Sequence, residues 1–320
     1  MESLICVDAG TTNTRVWLTA GDRLVARREV PVGARDTACD GGNGRLRAAL
    51  REAVEDLLRA RPGDVPVPGC VAAAGMITSP QGLLEVPHVE APASLNALAA
   101  AARPRHFPDI AEQPFVLVPG VRTTANGTTA EDVMRGEETL GLGLLRQGLL
   151  PAGGALLNLG SHWKLVRTDA AGRIAGSLTT LSGEMIQAVR SQTVLASALP
   201  AGPLADPDLD AVAEGMSEAR RSGLPRALFR VRLLELAGRS TAMGRLSYVV
   251  GAFIATDLDG LRAAGALPPG TALTITGGEK VGGAWAAVLS REGHPTRSLT
   301  TGEAESGFLA GLRAVMEARG

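Results

Sequence analysis

Short apolar runs separated by turn residues open the chain. Residues 4–7, 14–20 and 24–31 are rich in Leu, Ile, Val and Ala, and the tight turn "AGDR" separates the second run from the third. Runs of this length with turn residues between them predict a three-stranded meander. The next segment, "NGRLRAALREAVEDLLRA", spaces its apolar residues three and four apart, which predicts an amphipathic helix ended by Pro62.

Buried strands and two helices are predicted to follow. The segments "GCVAAAG" at 69–75 and "FVLVPG" at 115–120 are short, apolar and bounded by Gly or Pro, which is typical of buried strands. An Ala-rich helix is expected near 94–102. The segment "EDVMRGEETLGLGLLRQG" predicts a longer helix whose N-terminus lies near Asp132.

The opening pattern returns from residue 155. The segment "ALLNLGSHWKLVRTDAAGRIAGSLTT" predicts a strand, a Gly-Ser turn and a hairpin of two strands, followed by a helix that begins near "SGEMIQAV". Asp8 and Asn158 each stand two residues before the first turn glycine, Gly10 or Gly160. This self-similarity favours two copies of a βββαβα unit over a chance likeness of two hairpins.

The second half continues with a predicted helical insert at roughly 208–265. After it, "ALTITGGEKVGGAWAAVL" predicts a strand, a Gly-Gly turn and a helix, and "PTRSLTT" and "EAESGFLAGLRAVMEA" predict a last strand and helix. We therefore predict an α/β protein of two domains, residues 1–150 and 151–320, that face each other across a cleft. The hinge is expected near 148–154.

Composition excludes several classes of protein. Although 45% of the residues are apolar, no run approaches the roughly 18–20 residues of a membrane span. No signal peptide is visible, so a cytoplasmic protein is expected. The net charge of −1, with five Phe and one Tyr, argues against a nucleic-acid partner. The three cysteines and four histidines lack paired spacing, which argues against a disulfide framework or a zinc site.

The two glycine turns have the composition of phosphate-binding loops. Gly10 and Gly160 allow a close approach of the backbone to a ligand, and neighbouring hydroxyls add donors. If the halves are related by a pseudo-twofold axis, the turns grip a polyphosphate from both sides. Asp8 suits a hydrated Mg²⁺, which takes one or two carboxylates besides phosphate oxygens; the alternative is an Asp that caps its own turn. The predicted phosphate ligands are Gly10, Thr11, Thr12, Asn13, Gly160, Ser161 and Lys164.

A third glycine turn lies in "TITGGEK" at 274–280, where a base or ribose fits over Gly277 and Gly278, beside Glu279. Alone it is weak evidence. The three turns in this order resemble the actin, hexokinase and Hsp70 superfamily, in which "DAGTTNTRVW" and "NLGSHWK" are similar to the two phosphate motifs and "TGGE" to the adenosine motif. The resemblance implies two ribonuclease-H-like (actin-like ATPase) domains that bind ATP and Mg²⁺.

Within this superfamily the chain resembles the 2-dehydro-3-deoxygalactonokinase family over almost its whole length. The similar segments are "DAGTTNTRVWL", "AAGMITSPQGLLEVPHVEAPA", "VPGV", "DVMRGEET", "GSHWK", "TTLSGE", "ALFRVRLLEL" and "AGLRAV". The resemblance implies ATP-dependent phosphorylation of 2-dehydro-3-deoxy-D-galactonate, a small-molecule sugar acid, at O6. A homodimer is compatible with the sequence.

The sequence departs from the family pattern near the proposed ligands. Ala9 replaces a Trp, Thr78 replaces a Gly, and Asn158 replaces the acid of the wider superfamily, so we expect Asn158 to orient groups rather than ligate the metal. These departures leave two alternatives open. One is a kinase of another sugar or keto-deoxy sugar acid, and the other is a non-catalytic regulator that binds ATP or a sugar acid.

Phosphoryl transfer needs an acid beside the acceptor hydroxyl, and "EDVMRGEET" offers Asp132, Glu137 and Glu138. Glu137 follows Gly136, as in the Gly-Asp helix start of glycerol-kinase-like enzymes, which favours Glu137 ahead of Asp132 as the base. A carboxylate at Asp132 is alternatively a helix cap.

Several side chains are candidates for holding the sugar acid. Arg135 suits its carboxylate, because a guanidinium binds a carboxylate through two parallel hydrogen bonds. Arg15, Lys164 and Arg190 are rivals for this role, and His162 is expected to contact the acceptor or a phosphate, or else a backbone carbonyl. Ser182 is expected to cap a helix, with a sugar contact by Glu184 as a second possibility.

Overall fold

The computed structural model of the chain describes residues 3–125 and 131–319, and its first half is built on a six-stranded sheet. The strands and helices of this half are β1 (Ser3–Ala9), β2 (Thr14–Ala20), β3 (Arg23–Val30), α1 (Ala34–Asp40), α2 (Gly44–Arg59), β4 (Val71–Gly75), a 3₁₀ turn (Met76–Thr78), β5 (Val89–Glu90), α3 (Leu95–Ala101), β6 (Arg103–Arg105), β7 (Phe115–Leu117), β8 (Val121–Thr123), β9 (Asp132–Met134) and α4 (Glu137–Arg146).

The second half repeats this plan on a five-stranded sheet. Its elements are β10 (Ala155–Leu159), β11 (Trp163–Thr168), β12 (Ile174–Thr180), α5 (Ser182–Gln192), a 3₁₀ turn (Val194–Ser197), α6 (Leu209–Ser222), α7 (Leu224–Leu236), α8 (Ala242–Ala263), β13 (Leu273–Thr276), α9 (Glu279–Arg291), β14 (Thr296–Ser298) and α10 (Thr301–Arg319).

The two sheets share the order and direction of five strands, and the first has an additional antiparallel edge strand, β6. The strand order is β3-β2-β1-β4-β7-β6 in the first and β12-β11-β10-β13-β14 in the second. In each sheet a three-stranded antiparallel meander is followed by parallel strands, β4 beside β1 and β13 beside β10. The predicted duplication and the mixed α/β class are therefore confirmed.

Both faces of the central strands are buried. In β1, Ile5 and Val7 join one cluster with the apolar face of α2, whereas Leu4 and Cys6 join another that contains residues of α4 and α10. Strands covered on both faces read as continuous apolar runs, as these do. Leu156 of β10 belongs to the same cluster as Leu4 and Cys6. Helices α4 and α10 are therefore packed between the two sheets.

Helix α10, the last of the chain, packs mainly against elements of the first half, namely α4, α3 and β4. Glycines allow α4 and α10 to touch. A Cβ added at Gly143 would lie 1.8 Å from the Gly307 carbonyl oxygen, and one added at Gly311 would lie 1.9 Å from that of Thr139. The division of the chain at residue 150 stays a prediction, because α10 follows that point in sequence and packs on elements that precede it.

We expect Gly143→Ala to destabilise the protein, since the new methyl group overlaps the backbone of α10. Overpacking of this kind typically lowers the free energy of unfolding by about 1–3 kcal/mol. Gly283→Ala is the matched control, because Gly283 is exposed on α9 with open space where its Cβ would be, and Ala is favoured over Gly in helices by up to about 1 kcal/mol. Denaturant unfolding that ranks Gly143→Ala as stable as Gly283→Ala would show that the two helices do not touch as described.

The helix predicted from Glu131 onward is wrong in its first residues. Residues Asp132–Met134 form strand β9, which pairs antiparallel with β8 in a small sheet of order β5-β8-β9. Gly136 has φ +106°, outside the helical region, so α4 begins only at Glu137. Asp132 therefore does not cap a helix.

The predicted insert consists of helices α6, α7 and α8. Helix α8 lies at the centre of the core of the second half, with 15 buried residues. It is 22 residues long, yet within residues 3–125 and 131–319 neither α8 nor another helix has the length and hydropathy required to cross a bilayer.

Candidate active site

Asp8 lies near the end of β1, in a space left by two glycines. A Cβ at Gly75 would come within 2.5 Å of the Ala9 carbonyl oxygen and 3.0 Å of Asp8 Oδ1, and one at Gly136 would lie 3.8 Å from Asp8 Oδ1. Both glycines have positive φ, +86° and +106°, which a residue with a Cβ rarely adopts. They bring the chain that leads into α4 against the carboxylate of Asp8.

Burial raises the pKa of Asp8 to about 6, although Arg15 opposes this effect; the negative charge of Glu137 raises it further. Arg15 is opposite Asp8 in the β1–β2 ladder, with Nη1 3.6 Å from Oδ2, and it also approaches Glu29. Arg15, a candidate for holding the sugar acid, thus lies beside Asp8, the candidate metal ligand. Its positive charge is shared between the carboxylates of Asp8 and Glu29.

Glu137 is the first residue of α4 and connects the two halves. Asn158 Nδ2 lies 3.5 Å from its Oε1, and Lys164 Nζ lies 3.3 Å from its Oε2. Asn158 and Lys164 are paired residues of β10 and β11, so the second sheet presents both side chains to α4. The position of Asn158 in β10 corresponds to that of Asp8 in β1, and Glu137 lies between these equivalent sites.

Glu137 Oε2 is buried and accepts no hydrogen bond within residues 3–125 and 131–319; Lys164 Nζ lies 3.3 Å away but is not aligned for one. Lys164 Nζ instead donates to the Val133 carbonyl oxygen at 3.0 Å. No group of three or more metal-ligating side chains occurs in the part of the chain that the structure describes. Asp8 nevertheless fits Mg²⁺, which needs only one or two carboxylates when phosphates complete its shell.

Glu138 has a different environment from Glu137. It is fully buried, and the Gly136 N–H lies 2.9 Å from each of its carboxylate oxygens. Burial and the nearby charge of Glu137 raise its pKa to about 7. Glu138 therefore stabilises the turn before α4, whereas Glu137 presents its carboxylate to the second sheet.

The two predicted phosphate turns have matching local structures. In the first turn, Gly10 N–H donates to Asn13 O at 2.8 Å, and the Arg35 N–H donates to Thr11 O at 2.9 Å. In the second, the Glu184 N–H donates to Ser161 O at 2.8 Å. Each of the donors Arg35 and Glu184 follows a glycine, Gly33 before Arg35 and Gly183 before Glu184. A Cβ at either glycine would lie 2.6 Å or less from the backbone of the turn, so no larger residue fits there.

The helices that pack on the two turns, α1 and α5, meet through side chains. Arg35 Nη2 lies 3.2 Å from Glu184 Oε1, and His162 Nε2 lies 3.7 Å from the same oxygen. The structure thus brings together the turn that contains Gly10, Thr11, the exposed Thr12 and Asn13 and the turn that contains Gly160 and Ser161. The pairing of Arg35 with Glu184 was not predicted, because the two residues are 149 positions apart.

The predicted adenosine turn is next to the second phosphate turn. Gly277 has φ +81°, and a Cβ there would lie 2.6 Å from the Leu159 carbonyl oxygen, just as one at Gly75 approaches Ala9. Gly278 and Glu279 are exposed, and Glu279 begins α9. The backbone of this turn therefore borders the β10–β11 turn and is open to a ligand.

Arg135 is half-buried at a corner of the small sheet. Its Nη1 donates to Thr78 Oγ1 at 2.9 Å, and its Nη2 lies 3.5 Å from His88 Nδ1. Thr78, a departure from the family pattern, thus helps to orient Arg135. His88 was not among the predicted ligands; its place in "VPHVEAPA" was a signal only through the family resemblance.

Other candidates have structural partners. Asp132 Oδ2 accepts hydrogen bonds from Ser177 Oγ at 2.5 Å and from Thr179 Oγ1 at 2.8 Å. Ser182 is not the N-cap of α5, which is Leu181; its hydroxyl instead donates to buried Asp257 at 2.8 Å. Arg190 donates to carbonyl oxygens of residues 200–202.

Two duplicated sheets, a glycine turn after the first strand of each, and acids between them define the class of actin-like ATPases and sugar kinases. Within this class the chain belongs to the 2-keto-3-deoxy-galactonokinase family, whose sequence pattern matches residues 8–315. The family expected from the sequence motifs is thereby confirmed.

Individual relatives agree with this assignment. The chain is 24% identical to the 2-dehydro-3-deoxygalactonokinase of Escherichia coli (strain K12) over 317 residues, which covers 98% of this chain and 97% of the relative. A protein from Sinorhizobium meliloti that is assigned by inference as a 2-dehydro-3-deoxygalactonokinase has a solved crystal structure. It is 27% identical to this chain, with a TM-score of 0.76 and 98% of each chain covered.

A more distant structure shares the fold. The activator of 2-hydroxyisocaproyl-CoA dehydratase from Clostridium difficile, solved with bound ADPNP, has a TM-score of 0.52 at 11% identity, with 99% of this chain and 96% of the other covered.

Proposed function

We propose that the protein transfers the γ-phosphoryl group of ATP to O6 of 2-dehydro-3-deoxy-D-galactonate, which gives 2-dehydro-3-deoxy-6-phosphogalactonate and ADP. Membership of the kinase family supports the reaction class. The assignment of the site rests on Glu137, which directly follows Gly136 beside Asp8 of the first sheet and lies within 3.5 Å of Asn158 and Lys164 of the second. We expect the enzyme to act in the cytoplasm.

The nucleotide would lie between the two glycine turns. Backbone N–H groups and hydroxyls of Gly10–Asn13 and Gly160–Ser161 would hold the phosphates, and the exposed Gly277–Glu279 turn would border the adenosine. Asp8 would hold the Mg²⁺ that accompanies ATP. Asn158 would not replace a second acid as a metal ligand, because its amide oxygen carries no charge. The bound Mg²⁺ would supply charge neutralisation at the transferred phosphoryl group.

Glu137 is the base in this proposal. Its Oε2 accepts no hydrogen bond from the residues that the structure describes, so it is available to accept the proton of the attacking hydroxyl. Asn158 Nδ2 lies 3.5 Å from the other oxygen, and Lys164 Nζ lies 3.3 Å from Oε2. Asp132 instead contacts Ser177 and Thr179 of β12, whose hydroxyls both donate to its Oδ2.

Arg135 is proposed to bind the carboxylate of the acceptor, and we expect Arg135→Ala to raise the KM for the sugar acid by about 10- to 100-fold. A hydrogen bond to a charged group typically contributes about 1.5–3 kcal/mol, and each 1.4 kcal/mol is about tenfold in affinity. Steady-state kinetics with the acceptor varied tests this. Arg51→Ala, on the exposed face of α2, is the matched control; an unchanged KM in Arg135→Ala would place the carboxylate elsewhere.

The acceptor is tested by incubating the enzyme and Mg-ATP with a panel of keto-deoxy sugar acids and neutral hexoses and following phosphate esters by ³¹P NMR. We expect a 6-phosphate of 2-dehydro-3-deoxy-D-galactonate. Preferential phosphorylation of another member of the panel would keep the kinase chemistry and refute the acceptor. ATP binding without a phosphate ester from any acceptor would favour the regulator.

A further inference from the structure

His88 and Arg135 meet at one edge of the small sheet β5-β8-β9, namely the side at which β5 and β8 begin and β9 ends. His88 directly precedes β5, and Arg135 directly follows β9. Because β5 is parallel to β8 and β9 is antiparallel to it, the start of β5 and the end of β9 lie at the same edge. Gly120, which precedes β8, completes this edge.

The edge is shaped around the two side chains. A Cβ at Gly120 would lie 2.7 Å from Arg135 Cγ and 2.9 Å from His88 Cδ2. No other residue type leaves room for both side chains in these positions. The Gly120 carbonyl accepts the Val89 N–H at 2.9 Å, which fixes the backbone next to His88.

The contact with Arg135 determines which nitrogen of His88 carries the proton. Arg135 Nη2 lies 3.5 Å from His88 Nδ1, and a guanidinium can only donate. Nδ1 is therefore the acceptor, and a neutral imidazole then carries its proton on Nε2. Burial and the positive charges of Arg135, Arg122 and Lys164 lower the pKa of His88 to about 4, so the ring is neutral at neutral pH.

The Nε2 atom of His88 is buried and has no hydrogen-bond partner among the described residues. A buried donor without an acceptor is costly, and such atoms in native structures call for an explanation. Arg135, two residues before Glu137, has donors remaining besides the one to Thr78. The two residues together present N–H groups and no acceptor.

We infer that His88 is a specificity-determining residue that donates a hydrogen bond from Nε2–H to the acid end of the acceptor, beside the guanidinium of Arg135. The carboxylate and the adjoining 2-oxo oxygen of the acceptor only accept hydrogen bonds, which matches the N–H donors of His88 and Arg135. An acceptor without these oxygens would leave the buried donor of His88 unpaired, so neutral sugars are disfavoured. This inference rests on the proposed function, since it names the group that recognises the proposed acceptor.

His88→Phe and His88→Gln test the inference in the full-length enzyme. Phe keeps an aromatic ring without a donor, whereas Gln retains an N–H near the position of Nε2. We expect His88→Phe to raise the KM for 2-dehydro-3-deoxy-D-galactonate by about 10-fold or more, with the KM for ATP within about twofold of the wild-type value. His88→Gln should recover most of the loss. His106→Phe, at an exposed position, should match the wild type.

Two results would overturn the inference: a KM for the sugar acid unchanged in His88→Phe, or losses in His88→Phe and His88→Gln that are equal for sugar acid and ATP. Calorimetric binding of the sugar acid without ATP separates this inference from the proposed reaction. If the wild type binds the acid but does not phosphorylate it, and His88→Phe binds it more weakly, the reaction fails and the role of His88 stands. If the wild type neither binds nor phosphorylates the acid, both are refuted.

Discussion

Glu137→Gln is expected to lower kcat by about 10²- to 10⁴-fold, the usual contribution of a general base. The substitution keeps the size of the side chain and a possible contact with Asn158, but it removes the proton acceptor and the partner charge of Lys164. The KM for ATP should change little. Single-turnover measurement of phosphoryl transfer at saturating substrates is the appropriate experiment, since it isolates the chemical step.

Asp132→Asn is the comparison for Glu137→Gln. It removes a charge from the same segment, yet Asp132 is held by Ser177 and Thr179 on β12. We expect a loss in kcat of less than about tenfold. If Asp132→Asn loses as much as Glu137→Gln is expected to lose, and Glu137→Gln remains active, the assignment of the base is wrong.

Asp8→Asn is expected to lower kcat/KM for Mg-ATP by about 10³-fold. A metal at the transferred phosphoryl group stabilises the charge that develops in the transition state by several kcal/mol, and Asp8 is the residue proposed to hold that metal. The loss should be partly relieved by raising the Mg²⁺ concentration. A titration of activity with Mg²⁺ at fixed ATP measures this. Asp64→Asn, at an exposed aspartate on the surface, serves as the control; an equal response of the two variants to Mg²⁺ would exclude Asp8 as a ligand.

The same carboxylate gives an expected pH dependence. Because burial raises the pKa of Asp8 to about 6, its charged form is lost as the pH falls through about 6 rather than through the ordinary value near 4. kcat/KM for Mg-ATP reports groups of the free enzyme, so it should decline below about pH 6. A profile that stays flat down to pH 5 would contradict this environment for Asp8.

Much of the fold follows from local pattern. The meanders, the helix after each meander and the strand-turn-helix around Gly277 were predictable because period-two and period-3.6 spacing and Gly turns act over a few residues. The break before α4 was missed because "EDVMRGEET" has helical composition, whereas the pairing of β9 with β8 is a tertiary contact. The packing of α10 on the first half likewise depends on glycines far apart in sequence, Gly143, Gly307 and Gly311.

The candidate site divides in the same way. Asp8 and the turn glycines were accessible because they follow strands directly, and Glu137 because it follows Gly136. His88 was not, because its significance depends on Arg135, 47 residues away, and on the space left by Gly120. Thr78 appeared in the sequence only as a departure from the family pattern, whereas the structure gives it a hydrogen bond to Arg135.

The most direct measurement is coupled ADP release by the wild-type protein with Mg-ATP, in the presence and absence of 2-dehydro-3-deoxy-D-galactonate. The proposed site at Asp8, Glu137 and Lys164 predicts ADP release that depends on the sugar acid and saturates with it. ADP release at the same rate without the acceptor, or tight ATP binding with no release in either case, would contradict a sugar-acid kinase.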